Sequence, residues 1–295
     1  MTDTASQPTT TQPAATKPIY RGMDRAALDT AYNNSAAVAN SADLMARTRE
    51  RSAAVRAGPR ARLDIAYGER PRQRLDYFSS GKAKAPLWVF IHGGYWQRND
   101  KDMFSIVAEG PRAHGIDVAL VGYTLCPDVT LTELVAEIRA SLTFLATHAD
   151  DLGFDRRRLF VGGWSAGGHL TAAVAGHEAF CGGVPVSGIF DLEPIALCYL
   201  DEKLHLSADE VAKLSPLRTL PDRMPPLRVF VGGNETHELV RQSTTYAEAA
   251  RQRALPVTLT VLPGHHHFSI LDEMSEPDGA ITRALVALAD TTAGR

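Results

Sequence analysis

Arg158-Leu-Phe-Val-Gly162-Gly163-Trp164-Ser165-Ala166-Gly167-Gly168-His-Leu-Thr-Ala-Ala-Val-Ala175 sets an apolar run, a glycine-flanked serine and a helix-like stretch end to end. A serine at the tip of a sharp turn between strand and helix is held in a strained conformation, and only small flanking residues let the two elements pass closely. Gly163 and Gly167 are those flanks, which makes Ser165 the candidate nucleophile of an acyl transfer. A Gly-x-Ser-x-Gly match is weak by itself, because glycine and serine are common residues. Its surroundings decide.

The decisive neighbour lies upstream, where Ala85-Pro-Leu-Trp-Val-Phe-Ile91 reads as a buried strand running into His92-Gly93-Gly94-Tyr95-Trp96. A tetrahedral intermediate carries a full negative charge on oxygen, and each backbone N–H aimed at it contributes about 3–4 kcal/mol. Glycines let the main chain come close enough. The N–H groups of Gly94 and Tyr95 are the expected donors, with a third from Ala166, the residue after the nucleophile.

A serine hydroxyl is nearly inert until a histidine takes its proton, and that imidazole needs a carboxylate to fix its tautomer. In a fold built on such a strand-turn-helix both should follow the serine, acid first. Leu227-Arg-Val-Phe-Val-Gly232 is strand-like and ends in Gly233-Asn234-Glu235-Thr236-His237-Glu238, so Glu235 is the expected acid, with Glu238 and Asp272 as substitutes. The next strand-like run, Pro256–Leu262, is followed by His265-His266-His267-Phe268. His267 is favoured as the base, because the apolar turn Phe268–Leu271 would anchor it inward while its neighbours face solvent. Contiguous loop histidines cannot easily converge on one ion, and no spaced H-E-x-x-H pair occurs, so no metal is expected. Nor is there a phosphate loop or a dinucleotide fingerprint, and no cofactor is implied.

Strand-like and helix-like runs alternate as in a mostly parallel sheet flanked by helices. Eight strands are expected: 62–67, 74–78, 87–92, 118–122, 159–163, 183–189, 227–232 and 257–262, the first two forming an antiparallel edge hairpin. Helices are expected over 130–148, 166–176, 238–253 and 281–289. The stretch 191–225, with a helix-start signal at Ser207-Ala-Asp-Glu210, should roof the site as a small helical cap, and 23–56 should complete it. Arg47, Arg49 and Arg51 read as a solvated face.

With 295 residues, 44% hydrophobic composition and a net charge of −3, the chain suits one large domain, 19–295, and has no basic patch for nucleic acid. Residues 1–18, rich in Thr, Ala, Gln and Pro, cannot bury a core and should be disordered. They lack a signal-sequence pattern, and no stretch approaches the ~18 apolar residues of a membrane span. A cytoplasmic protein is expected, its Cys126, Cys181 and Cys198 reduced. A homodimer stays an open option.

These residues together resemble the kynurenine formamidase (arylformamidase) group of the α/β-hydrolase superfamily. The resemblance rests on His92–Gln97 and Gly163–His169, and on Ala31-Tyr32-Asn33-Asn34, Tyr123-Thr-Leu-Cys-Pro127 and the segment from Glu235 through Ser243; it spans roughly residues 20 to 290. It implies a serine hydrolase that removes the formyl group from N-formylkynurenine, with Ser165 as nucleophile, His267 as base, Glu235 as acid and the Gly94/Tyr95 loop as oxyanion site. Family members often carry aspartate where this chain has Glu235. A flat aromatic leaving group calls for aromatic walls, which Tyr95, Trp96 and Trp164 could supply. The rival readings are a carboxylesterase acting on small acyl esters through identical chemistry, and a non-catalytic hydrolase-like binding protein.

Overall fold

β3 (Ala85–Ile91) and β4 (Asp117–Val121) are buried along their whole lengths, which is why they read as continuous apolar runs without alternation. Alternate residues of β3 feed two cores: Leu87, Val89 and Ile91 pack on one face of the sheet, Trp88 and Phe90 on the other. The computed structural model describes residues 17–291, so all but the last two residues of the expected N-terminal tail lie outside the described residues.

The sheet has eight strands. Besides β3 and β4 these are β1 (Ala61–Ala66), β2 (Arg74–Phe78), β5 (Phe154–Trp164), β6 (Gly182–Val186), β7 (Leu227–Gly232) and β8 (Val257–Leu262), in the spatial order β1-β2-β4-β3-β5-β6-β7-β8. β2 pairs antiparallel with β1 and β4, and the remaining pairings are parallel. The chain leaves β3 for β4 on one side and returns to β5 on the other. The carboxyl ends of β3 and β5 therefore flank the topological switch point, where open α/β sheets form a crevice.

The boundaries of β2, β7 and β8 coincide with those expected. β5 starts five residues earlier than expected, because its polar first half pairs with β3 through Ala85 and Phe154. β6 stops at Val186 instead of Ile189, since Ser187 takes a left-handed φ of 51° and turns the chain out of the sheet. Helix Leu131–Thr147 is closed by a capping box between Thr130 and Glu133, and helix Ala208–Leu214 by the one signalled at Ser207 and Glu210. The 3₁₀ segment Lys101–Ala108 and the short helix Glu109–Ala113, joining β3 to β4, escaped the sequence reading because each is too short to show a period.

The N-terminal segment forms helices Arg25–Ala31, Asn34–Ala37 and Ser41–Arg56. The third packs on the 3₁₀ segment through Ser52, whose hydroxyl donates to the Met103 carbonyl and accepts from the Ile106 N–H. Arg47, Arg49 and Arg51 lie on its exposed side, Arg51 facing Asp272 and Glu276. No helix among the described residues is long and apolar enough to cross a membrane.

Candidate active site

Ser165 sits between β5 and helix Ala166–Ala173 with φ 60° and ψ −118°, a conformation that L-residues avoid unless their surroundings impose it. Those surroundings are backbone. A Cβ on Gly167 would lie 1.9 Å from the Ile91 carbonyl oxygen, and one on Gly163 would lie 2.4 Å from the Gly167 oxygen. The turn is pinned to the sheet by the Ser165 N–H, which donates to Val186 O at 2.8 Å. Ala166 opens the following helix, so its N–H has no intrahelical acceptor and is free to point at an anion.

The loop after β3 rides on this turn. A Cβ on Gly93 would stand 2.7 Å from the Trp164 carbonyl oxygen and 2.9 Å from the Ser165 Cβ. Gly94, Tyr95 and Trp96 all carry positive φ, at 124°, 50° and 59°. The Gly93 carbonyl accepts from His92 Nδ1 at 2.8 Å and Asn99 Nδ2 at 3.1 Å. Burial pushes the His92 imidazole down to about 4, so the ring is neutral, and a carbonyl partner requires the proton to sit on Nδ1. The ring lies stacked between Phe104 and Tyr123.

Glu235 and His267 come together from the loops after β7 and β8. His267 Nδ1 lies 2.6 Å from Glu235 Oε2, with both side chains buried. The other carboxylate oxygen accepts from the Ser187 hydroxyl at 2.5 Å and the Gly232 N–H at 2.8 Å. Ser187 was not singled out from the sequence, where a serine at a strand end carries no signal. Trp164 holds the histidine from beneath: its indole N–H donates to the His267 carbonyl at 2.8 Å, and the two rings stand 4.8 Å apart.

The three histidines diverge. His265 faces Glu273 at 3.3 Å, and the His266 ring accepts from the Phe268 and Ser269 N–H groups. Of the substitute acids, Glu238 is engaged by Arg241 and by the Tyr32 hydroxyl, and Asp272 is an exposed partner of Arg51. The acidic trio Asp64, Asp76 and Asp102 is met by the Lys101 ammonium at 2.7, 3.0 and 2.6 Å, and Arg56 adds a second cation there. Burial pushes the Cys126 and Cys198 thiols up to about 12 and about 11, so neither is a thiolate nucleophile at neutral pH.

Ser165 and His267 border one cavity of about 150 Å³, together with Gly94, Tyr95, Asn99, Arg98, Trp164 and Phe268. Its remaining walls are Asn34, Ser35 and Met45. Two expectations change here. No residue of 191–225 is among those that line the cavity, whereas Asn34, Ser35 and Met45 of the N-terminal segment 23–56, expected to complete the roof, do line it. Trp96 is no wall either, being fully buried with its indole N–H on His169 Nδ1 at 3.2 Å. A residue two places beyond Gly94 in so tight a turn faces the interior, away from the space where Tyr95 borders the cavity.

The roof is tied down by long-range hydrogen bonds. The Tyr95 hydroxyl donates to the Tyr32 carbonyl at 2.6 Å and accepts from Asn34 Nδ2 at 2.9 Å, while the Tyr32 hydroxyl donates to Glu238 at 3.0 Å. Tyr32 and Asn34 belong to the Ala31–Asn34 stretch that contributed to the family resemblance; nothing local in it announces a wall.

A buried carboxylate–imidazole pair whose histidine shares a cavity with a strained serine is an arrangement suited to acyl transfer. Comparison with known proteins agrees with that chemistry. The family model described as BD-FAE matches residues 75–180, and that of the prolyl oligopeptidase family matches residues 138–282. The kynurenine formamidase of Danio rerio is 29% identical over 241 residues, covering 77% of this chain and 81% of that protein. A candidate thioesterase from a Silicibacter species superposes with a TM-score of 0.80 at 30% identity, over 88% of this chain and 98% of that one. An esterase of Pyrobaculum calidifontis shares the fold, with a TM-score of 0.69 at 17% identity over 86% of this chain and 95% of that one.

Proposed function

We propose that this chain, a kynurenine formamidase-like α/β-hydrolase, removes the formyl group from N-formylkynurenine. The observation that carries the reading is the Glu235–His267 pair at 2.6 Å, whose histidine opens with Ser165 onto one small cavity. Ser165 Oγ attacks the formyl carbon while His267 Nε2 takes its proton. Glu235 keeps the other ring nitrogen protonated and stabilises the imidazolium. The N–H groups of Gly94, Tyr95 and Ala166 hold the charge that develops on the formyl oxygen. His267 then protonates the departing aniline nitrogen, and water, activated by the same histidine, releases formate from the formyl-serine.

The cavity volume favours a short acyl group. Pockets for drug-sized ligands span about 300–1,000 Å³, whereas this one holds about 150 Å³. A formyl or acetyl group fits beside Ser165, with the aryl leaving group toward the opening past Tyr95 and Trp164. In this reading residues 19–295 act as one catalytic unit whose lid is the stretch around Asn34 and Met45. A carboxylesterase for small acyl esters is the second reading, supported by the esterase and thioesterase likeness of the fold.

The test is the steady-state rate on N-formylkynurenine beside a 4-nitrophenyl acetate control on one preparation. A kcat/KM of about 10⁴ M⁻¹s⁻¹ or more on the formamide, abolished in Ser165→Ala, is the expected result. Ester cleavage alone moves the chain to the second reading, and a Ser165→Ala protein that keeps more than a few per cent of the rate removes the serine mechanism.

A further inference from the structure

Among the described residues that border the cavity, Arg98 is the one that carries a fixed charge at neutral pH, and none is a carboxylate. Its backbone is locked into the oxyanion loop, where the Arg98 N–H donates to the Gly94 carbonyl at 3.1 Å and a Cβ on Gly94 would meet the Arg98 oxygen at 2.3 Å. The side chain is exposed, with its guanidinium carbon 5.9 Å from the Tyr95 ring centroid. Among the described residues it has no ion-pair partner. The next acid along the chain, Asp100, is engaged by Arg72 at 3.1 Å. Other arginines near the roof are balanced: Arg241 by Glu238, and Arg218 by Asp191 and Glu193.

An unbalanced guanidinium at the opening of an otherwise uncharged cavity attracts anions. Its planar fork matches a carboxylate with two parallel N–H···O bonds, and a ring beneath one face leaves those donors free. We propose that Arg98 is the specificity-determining residue of this site and selects substrates whose leaving group carries a carboxylate. The inference rests on the hydrolase reading of the cavity and sharpens it. The acyl carbon lies at Ser165, the aromatic body lies past Tyr95, and the carboxylate at the far end of the leaving group meets Arg98. Neutral aryl amides and esters reach the same serine without that contact.

The experiment compares two matched pairs on the full chain and on R98Q and R98K. The first pair is N-formylkynurenine and its carboxamide, in which the carboxylate becomes a neutral amide. The second is 3-acetoxybenzoate and 3-acetoxybenzamide, which report on Arg98 even if formamides are not turned over. A hydrogen-bonded charge pair supports a preference of about 10- to 100-fold in kcat/KM for the anionic member. R98Q should reduce that ratio about tenfold or more, mostly through KM, and R98K should restore part of it. The preference of the wild-type protein should also shrink as ionic strength rises. Calorimetric titration of Ser165→Ala protein with N-formylkynurenine, with and without R98Q, gives the same comparison independently of turnover. A wild-type ratio near one, or a ratio unchanged in R98Q within twofold, overturns the assignment. Failure of the formamide pair alone, with the ester pair still discriminated through Arg98, overturns the formamidase reading and leaves the assignment standing.

Discussion

The turn after β5 and the loop after β8 bring Ser165 and His267 to the same cavity, but the first is held by backbone sterics and the second by side chains. Around Ser165, Gly163 and Gly167 leave no room for a Cβ, and the positive φ is imposed by the neighbouring main chain. Around His267, the contacts that set position are the Glu235 carboxylate, itself held by the Ser187 hydroxyl, and the Trp164 indole. The difference teaches where each half is vulnerable. A backbone-built half fails all at once when one atom is added, whereas a side-chain-built half degrades contact by contact.

The largest effect that would test this contrast is Gly167→Ala. Its new methyl would overlap the Ile91 carbonyl, and that oxygen belongs to a central strand that cannot move aside. Loss of soluble folded protein or of all turnover is expected, measured by circular dichroism and rate; a folded, active variant would break the steric account. Next is Glu235→Gln. An amide cannot stabilise the imidazolium, and a drop of about 10³–10⁴-fold in kcat with the fold intact is expected by analogy with other triads. The same change at Glu238 should cost stability through Tyr32 and Arg241 and leave far more of the rate, so equal losses in rate would return the acid role to an open question.

Acid sensitivity should separate the halves as well. His92 and His169, both fully buried in the half around Ser165, are pushed down from 6.5 to about 4 by burial. His169 accepts from the Trp96 indole on Nδ1 and meets the Leu214 carbonyl with Nε2, so a second proton would face a donor. Between those pH values the unfolded chain binds protons that the folded chain refuses, and stability falls as pH falls. The contribution is fully present above about pH 6.5 and is lost by about pH 4, on the order of 3 kcal/mol per histidine. Urea unfolding from pH 7 to 4.5 should show that slope, and His169→Gln should flatten it; a flat wild-type profile would count against buried neutral rings.

Ser187→Ala is the smallest change. It removes one of the two donors on Glu235 Oε1, and about a tenfold loss in kcat with little change in KM is expected. A stability loss with kcat unchanged would reduce Ser187 to a packing role.

The same contrast governs what could be read in advance. Gly163-Trp-Ser-Ala-Gly167 and His92-Gly-Gly94 encode their geometry within a few residues, because a missing Cβ is a local property. The strands β2, β7 and β8 announced themselves by apolar runs bounded by turn residues. His267 was favoured over its neighbours for a local reason, the apolar turn that follows it, yet Ser187 could not be seen, lying 48 positions from its partner Glu235. Trp96 misled because one aromatic beside a loop looks like another until the positive φ values at Gly94, Tyr95 and Trp96 decide which ring turns inward.

The sequence by itself determined the alternating α/β order, the strained serine turn, the glycine loop that faces it and the order in which Glu235 and His267 follow the serine, all of them set by residues close together in the chain. Only the tertiary structure decided that Asn34, Ser35 and Met45 line the cavity, that Ser187 steadies Glu235, and that Arg98 stands there without a counter-ion among the described residues. Those are meetings between segments dozens to hundreds of residues apart, set by how the packed layers close over the sheet, and no local pattern records them.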